Sequence, residues 1–236
     1  MKVVVKRDRI NVSDFAPNQK KTGEMMMIEI HRIEAGSVNC YIAAENGRAV
    51  LIDTGRKKYR EKILKKCKEF HVSLIILTHG HLDHCQNAAY LANALQIPIA
   101  MSEKDLKLIP DNRTQALSAR TFLGKIVLLA SLKSFEKEHF EAFEPAIYLK
   151  DGDSLRQYGI DAKIIALPGH TQGSIGIAFY DNLFVGDALM NMFYPTVSML
   201  YTDEQEMLAS AQTIRALGEK IIFFGHGKPK QNGSWK

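Results

Sequence analysis

Three histidines and an aspartate lie within six consecutive residues, His79-Gly80-His81-Leu82-Asp83-His84. Imidazole nitrogens and carboxylate oxygens are the ligands that ions such as Zn²⁺, Fe²⁺ or Mn²⁺ accept, and burying them together without an ion leaves costly unpaired polar groups. A histidine-rich surface loop is the alternative interpretation. Four ligand-type residues in so short a stretch favour a metal site instead.

The segment directly before this cluster predicts where it sits in the fold. Residues 74–77 read Leu-Ile-Ile-Leu, which is short, apolar and β-branched in its middle. Such a segment is typical of a buried parallel strand. The cluster should therefore lie at the carboxyl edge of a sheet, where α/β proteins hold their active sites.

Strands and helices alternate along the first half of the chain. Asn46-Gly47 between apolar segments predicts a hairpin of strands over 40–43 and 49–52. After the 74–77 strand we expect a helix over 84–95 and a strand over 97–101. This alternation predicts a partly parallel sheet. A short strand is expected at 3–5, and we assign no role to residues 1–24.

The second half repeats this organisation without an obvious sequence repeat. Strands are expected over 164–167, 175–180 and 183–185, and a helix over 203–217. Thr202-x-x-Gln205 has the pattern of a capping box at the start of that helix.

Thr-His-x-His-x-Asp-His at 78–84 resembles the signature of the metallo-β-lactamase superfamily. Four further motifs of that family occur in the expected order, each after a predicted strand: Asp53-Thr54-Gly55, Pro168-Gly169-His170-Thr171, Gly186-Asp187 and Gly225-His226-Gly227. The resemblance covers about residues 28 to 227. It implies an α/β fold, an αββα sandwich of two mixed sheets flanked by helices, with metals at one edge between the sheets.

The resemblance also implies a ligand set for two divalent ions, with zinc expected first and iron or manganese as alternatives. By this mapping His79, His81 and His170 bind one ion, Asp83, His84 and His226 bind the second, and Asp187 bridges both. Asp83 and Asp187 are the predicted catalytic residues, since Asp83 would hold the nucleophile and pass a proton toward the leaving group. Asp53 would orient the ligand loop through hydrogen bonds.

Two positions depart from the pattern of many relatives. Gln172 stands where Pro is common in the His170 motif, and Cys85 stands where Gly is common after Asp83-His84. Neither departure removes a predicted ligand.

A bridging hydroxide that attacks a carboxylic ester, thioester or lactone is the leading hypothesis for the reaction. Phosphodiester hydrolysis on the same metals is a second enzymatic interpretation, and a persulfide dioxygenase with a single iron is a third. A metal-bearing sensor without turnover is the non-enzymatic alternative. β-Lactamase activity is not favoured, because the largest class of those enzymes carries Cys at the position of Asp187.

Two segments are candidates for substrate contact. Met190, Phe193 and Tyr194 follow the bridging aspartate, and could line an apolar pocket or pack as a loop or subunit contact. Residues 105–150, with Phe135, Phe140 and Phe143, could cap the pocket as a lid or form an ordinary packing helix. If both segments line the cleft, hydrophobic acyl groups should be preferred.

Composition limits the remaining possibilities. The 236 residues are 46% hydrophobic, enough for one domain over 1–236. Because we find no signal peptide, membrane span or paired cysteine pattern, we expect a cytoplasmic protein with free thiols. The net charge of +5 is modest, and the basic residues at 56–68 fit the solvated face of a helix. We expect a small-molecule substrate, no nucleic acid and no membrane, and we predict no oligomeric state.

Overall fold

The first sheet contains seven strands, and their spatial order is their order along the chain. The computed structural model describes residues 3–4, 27–139 and 141–235. The strands of this sheet are β1 (Val3–Val4), β2 (Ile28–Ala35), β3 (Val38–Glu45), β4 (Arg48–Ile52), β5 (Val72–Ile76), β6 (Ile99–Met101) and β7 (Ile147–Tyr148).

Pairing within this sheet changes from antiparallel to parallel at β4. Strands β2, β3 and β4 form an antiparallel meander, whereas β4 to β7 run parallel to one another. Asn46 and Gly47 both have positive φ, at 48° and 79°. Two such residues make the turn whose twist matches a hairpin, so the hairpin prediction is confirmed.

The second sheet has five strands in the order β14-β13-β10-β9-β8. They are β8 (Ala162–Ala166), β9 (Ile175–Phe179), β10 (Asn182–Gly186), β13 (Ile221–Phe224) and β14 (Lys230–Gln231). Only the β10–β13 pair is parallel. A separate two-stranded ribbon joins β11 (Leu189–Met190) to β12 (Thr196–Val197).

The helices are α1 (Arg60–Glu69), α2 (Leu82–Cys85), α3 (Ala88–Leu95), α4 (Phe122–Lys137) and α5 (Glu204–Ala216). The single helix expected over 84–95 is therefore wrong in detail. The backbone N–H of Asn87 donates to the Thr54 hydroxyl, 3.3 Å away, rather than continuing the helix. The capping prediction is also corrected, because the Asp203 carboxylate caps α5 by accepting from the N–H of Glu206.

Three hydrophobic clusters define the layers. The inner faces of both sheets share a core that includes Ile52, Ile76, Ile177 and Phe184. The outer face of the first sheet packs against α1 and α3, through residues such as Ile63 and Leu91 in a second cluster. The outer face of the second sheet packs against α5. The result is the αββα sandwich that the sequence predicted.

Several smaller predictions are also tested by the structure. All three cysteines are free and buried. In the basic segment, Arg56 and Arg60 pair with Glu138 and Glu141, so part of its positive charge is neutralised within the chain. Among the described residues, no helix is both long and apolar enough to cross a membrane.

Candidate metal centre

All seven predicted ligands come together at one edge of the sandwich. His79, His81, Asp83 and His84 follow β5, which ends at Ile76. His170 follows β8, Asp187 follows β10, and His226 follows β13. Each ligand comes after the carboxyl end of its strand, as the position of the cluster predicted.

The ligand atoms form two groups that Asp187 connects. His79, His81 and His170 make the first ligand group, and Asp83, His84 and His226 make the second; within each group the ligand atoms lie within 4.8 Å of one another. The Oδ1 atom of Asp187 is 3.5 Å from Nε2 of His84. Its Oδ2 atom is 3.3 Å from Nε2 of His226 and 3.8 Å from Nε2 of His170.

The outward-facing nitrogen of four ligand histidines is fixed by a hydrogen bond. Nδ1 of His170 donates to the Leu200 carbonyl at 2.8 Å, and Nδ1 of His226 donates to the Ser37 carbonyl at 2.8 Å. Nδ1 of His79 lies 3.1 Å from the Thr78 hydroxyl, and Nδ1 of His84 lies 2.8 Å from a carboxylate oxygen of Asp53. These bonds turn the four Nε2 atoms toward the centre, which is how proteins orient metal ligands.

Asp53 has the position that the resemblance implied. Its carboxylate also accepts from the backbone N–H of Thr78 at 2.8 Å and from the Thr78 hydroxyl. The residue has φ of 59°, an uncommon backbone conformation outside glycine. A buried carboxylate in this conformation joins the ends of β4 and β5 at the metal ligands.

The arrangement fits a bound cation. Nε2 of His79, Nε2 of His84 and Oδ1 of Asp187 are buried and have no hydrogen-bond partner among the described residues. Unpaired buried polar atoms are costly, and metal ions at the two ligand groups would satisfy these three. Gly225 makes the close approach possible, because a Cβ there would lie 2.2 Å from Oδ1 of Asp187.

The first ligand group is held neutral. Burial, reinforced by the neighbouring histidines, keeps the pKa of His79 well below its usual value and lowers the pKa of His81 to about 3. Burial also lowers the pKa of His170. Neutral imidazole is the form that binds a metal, so these three histidines would bind an ion near neutral pH without first losing a proton.

The second ligand group has the opposite character. Burial would lower the pKa of His84, but the carboxylates of Asp187 and Asp53 raise it to about 10. The pKa of His226 is likewise raised by Asp187 against the effect of burial. Without a cation, these two imidazoles hold protons that a metal ion must displace.

Helix α4 lies beside the centre. The Phe135 ring stacks on the His81 ring with centroids 5.5 Å apart. A cavity of about 180 Å³ opens next to this contact. It is lined by Leu82, Pro110, Asp111, Asn112, Arg113, Phe135, Glu138 and His139. Residues 105–150 therefore adjoin the site, and movement of this segment as a lid stays a prediction.

The other predicted substrate contacts differ in exposure. Met190 is buried in β11 at 2% exposure, which fits the alternative of a packed side chain, and its contact with a substrate stays a prediction. Phe193 and Tyr194 are exposed at 58% and 48%. Phe143 packs against the hydrophobic cluster beneath α1 and α3 and is not among the residues that line the cavity beside Phe135. Phe140 lies outside the described residues.

Sequence reasoning missed two side chains that hold the ligand loop. Asn112 donates to the Gly80 carbonyl at 3.0 Å and accepts from the N–H of Leu82 at 2.7 Å. Asp105 accepts from the N–H of Gly80 at 2.9 Å. Neither belongs to a motif, and their only sequence signal is a polar residue type inside the segment 105–150.

The Metallo-beta-lactamase superfamily model matches residues 33–226, and the chain belongs to this superfamily. Hydroxyacylglutathione hydrolase GloC of Haemophilus influenzae is 28% identical over 211 residues, covering 86% of this chain and 91% of that protein. An uncharacterized Aquifex aeolicus protein is 29% identical over 63% of each chain. Hydroxyacylglutathione hydrolase 1 of Vibrio vulnificus is 27% identical, and the match covers 79% of this chain and 60% of that one.

Solved structures share the fold. The BLEG-1 B3 metallo-beta-lactamase superposes with a TM-score of 0.69 at 23% identity, covering 89% of this chain and 95% of that one. TTHA1623, solved in a di-iron-bound form, has a TM-score of 0.61 at 23% identity, with 83% and 90% covered. At this identity the likeness establishes the architecture.

Proposed function

We propose that this chain is a dinuclear metal-dependent hydrolase of carboxylic esters, thioesters or lactones. The observation that carries the proposal is the placement of Asp187 between the two ligand groups, within 3.8 Å of histidines in both. The two relatives named as hydroxyacylglutathione hydrolases, which act on a thioester, support this class of substrate.

Zinc is the expected metal, and two such ions would lower the pKa of a shared water and polarise the carbonyl under attack. The protein's own residues prepare the centre. His84 and His226 hold the pKa of Asp83 below its usual value, although burial alone would raise it. Its side chain retains 18% exposure, against 5% for Asp187. Asp83 is therefore an ionised carboxylate facing the accessible side, suited to accept a proton on Oδ and pass it to the leaving group.

The cavity beside Phe135 suggests a substrate with both apolar and polar parts. Leu82, Pro110 and Phe135 supply apolar surface to the cavity, and Phe135 also stacks on His81. The charged side chains in this cavity already have partners, because Arg113 pairs with Asp111, and Glu138 pairs with Arg56. The negative charge of a phosphodiester would compete with these existing ion pairs, whereas a neutral acyl group against Phe135 needs no charged partner. Ester chemistry is therefore favoured over the phosphodiesterase alternative.

The test is hydrolysis of a panel comprising a thioester, a lactone, an aryl ester and a bis-phosphodiester at fixed zinc content. We expect turnover of at least one carboxylic substrate that chelation abolishes and Zn²⁺ restores. His84→Asn should abolish turnover, whereas His71→Asn, at an exposed position outside the centre, should retain it.

Preference for the phosphodiester would move the chain to that branch of the superfamily. Oxygen consumption with a persulfide and one iron per chain would favour the dioxygenase. Metal binding without turnover of any substrate would leave the sensor as the better interpretation.

A further inference from the structure

The carboxylate of Asp105 is fully buried, at 0% exposure, and links the two loops that carry the first ligand group. Its Oδ2 atom accepts from the N–H of Gly80 at 2.9 Å and from the Thr171 hydroxyl at 2.7 Å. Its Oδ1 atom accepts from the N–H of Gly173 at 2.8 Å. A single side chain therefore holds the loop after β5 against the loop after β8.

Gln115 extends this contact into the segment beside α4. Its amide Nε2 donates to Oδ1 of Asp105 at 2.9 Å, and its Oε1 accepts from the N–H of Gln172, also at 2.9 Å. Proline at position 172 would lack this N–H. The contact therefore requires a residue other than proline at position 172.

Both loops approach Asp105 and its neighbour Leu108 so closely that a side chain at Gly80 or Gly173 would clash. A Cβ at Gly173 would lie 2.6 Å from Cγ of Asp105. At Gly80 it would lie 2.8 Å from Cβ of Leu108 and 3.1 Å from the Asp105 carbonyl oxygen. The contact is thus close-packed as well as hydrogen-bonded, which restricts movement of both loops.

The residues that Asp105 holds flank the first ligand group. Gly80 lies between His79 and His81, and Thr171 follows His170. The second ligand group is fixed by other partners, because His84 bonds to Asp53 and Thr54, and His226 bonds to Ser37.

We propose that Asp105, supported by Gln115, is a positioning residue that sets the spacing of His79, His81 and His170 and so tunes metal affinity at the first ligand group. Four donors compensate the buried negative charge, so the carboxylate is satisfied without a cation of its own. The proposal rests on the metal centre and not on the ester chemistry, so metal binding tests it whichever substrate is hydrolysed.

The experiment isolates each ligand group before Asp105 is changed. His226→Ala leaves the first group intact, and His81→Ala leaves the second intact. Asp105→Asn is introduced into both backgrounds, since the amide keeps the shape but turns an NH₂ toward two of the donors. Zn²⁺ affinity is measured by competition with a chromophoric chelator. Asp153→Asn, which removes an acceptor for the N–H of Lys150 in a turn without side-chain contacts to the ligand residues among the described residues, is the matched control.

In the His226→Ala background we expect Asp105→Asn to weaken zinc binding about 10- to 100-fold, the usual effect of losing a group that orients metal ligands. In the His81→Ala background, and for Asp153→Asn in both, we expect a change below about threefold. Equal weakening of both groups would indicate a general structural role and overturn the proposal, as would unchanged affinity in both.

If Asp105→Asn does not fold, Gln115→Met decides the question in the same two backgrounds. Methionine has a similar length but makes neither of the Gln115 hydrogen bonds. A smaller weakening confined to the first group is expected, and weakening of both groups or of neither overturns the proposal. In the protein with both groups intact, these variants should require more zinc for half-maximal turnover while KM at saturating zinc stays unchanged.

Discussion

Asp187 lies between the two ligand groups. It is buried at 4% exposure, and nearby His226 and His84 keep its pKa well below the usual value despite burial, so it is a carboxylate. Because one oxygen faces His84 and the other faces His226 and His170, it can balance positive charge on both sides.

Asp187→Ala should reduce kcat by more than about 100-fold, since losing even an indirect partner of a metal ligand costs 10- to 100-fold. The fold should persist, because the side chain fills no hydrophobic cluster among the described residues. Turnover, zinc content and circular dichroism are measured together. Asp181→Ala, on an exposed turn, is the control and should keep wild-type kcat. Near wild-type turnover of Asp187→Ala would show that the bridging assignment is wrong.

The two ligand groups should respond differently to pH. The pKa of His84 is raised to about 10, so zinc binding at the second group releases a proton and should strengthen as pH rises toward that value. The pKa of His81 is lowered to about 3 and those of His79 and His170 are also lowered, so the first group has no proton to release near neutral pH.

We therefore expect affinity at the second group to rise at least about tenfold per pH unit between about pH 7 and 9, the slope for one displaced proton, while the first group changes little. The measurement is a zinc titration at several pH values in the His81→Ala and His226→Ala variants. Equal pH dependence in the two variants would contradict the assignment of proton-bearing histidines to the second group.

At the scale of elements, the two ends of α4 have contrasting surroundings. Phe135 stacks on His81, whereas Phe122 is 82% exposed at the other end of the same helix. The carboxylate of Glu138, just after α4, accepts from Arg56 at 2.8 Å and from Gln86 at 3.1 Å. These contacts hold the end of α4 against the loops of the first half that carry Arg56 and Gln86.

Phe135→Ala should lower kcat/KM for substrates with long acyl chains by about tenfold relative to acetyl substrates, because apolar surface in the cavity is lost. Phe122→Ala is the matched control, with the same substitution in the same helix but no site contact among the described residues. It should leave the chain-length profile unchanged. A flat profile already in the wild-type protein would show that α4 does not select the acyl group.

At the scale of the whole molecule, the sandwich packs the N-terminal half of the chain against the C-terminal half. The first half supplies four of the seven predicted ligands after β5, and the second supplies three after β8, β10 and β13. The core between the sheets contains buried residues of both halves, including Ile76 and Phe223. A metal ion at this centre would therefore join halves that already share a hydrophobic core.

We expect about two metal ions per chain at full occupancy, because seven ligands exceed what one ion with an open position uses. Elemental analysis after zinc reconstitution measures this. Removing the ions should lower the midpoint of thermal unfolding, since a ligand that binds only the native state stabilises it. A ceiling of one ion per chain would contradict the dinuclear proposal and favour the single-iron alternative.

The sequence by itself determined the fold class and the residues that meet at the candidate centre. His79, His81, Asp83 and His84 are adjacent in the chain, and the other three predicted ligands each follow an apolar strand segment. These signals are local: residue type, spacing and the end of a strand can all be read without knowing which strands pair. Their roles as metal ligands stay predictions.

The tertiary structure alone decided what surrounds that centre. Asp105 bonds to Thr171 across 66 residues and to Gly173 across 68. Nearly every residue carries a backbone N–H, and the sequence does not show which distant carboxylate each will meet. The same reason explains the burial of Met190 and the stacking of Phe135 on His81, because a side chain's surroundings are set by how the two halves and α4 pack together.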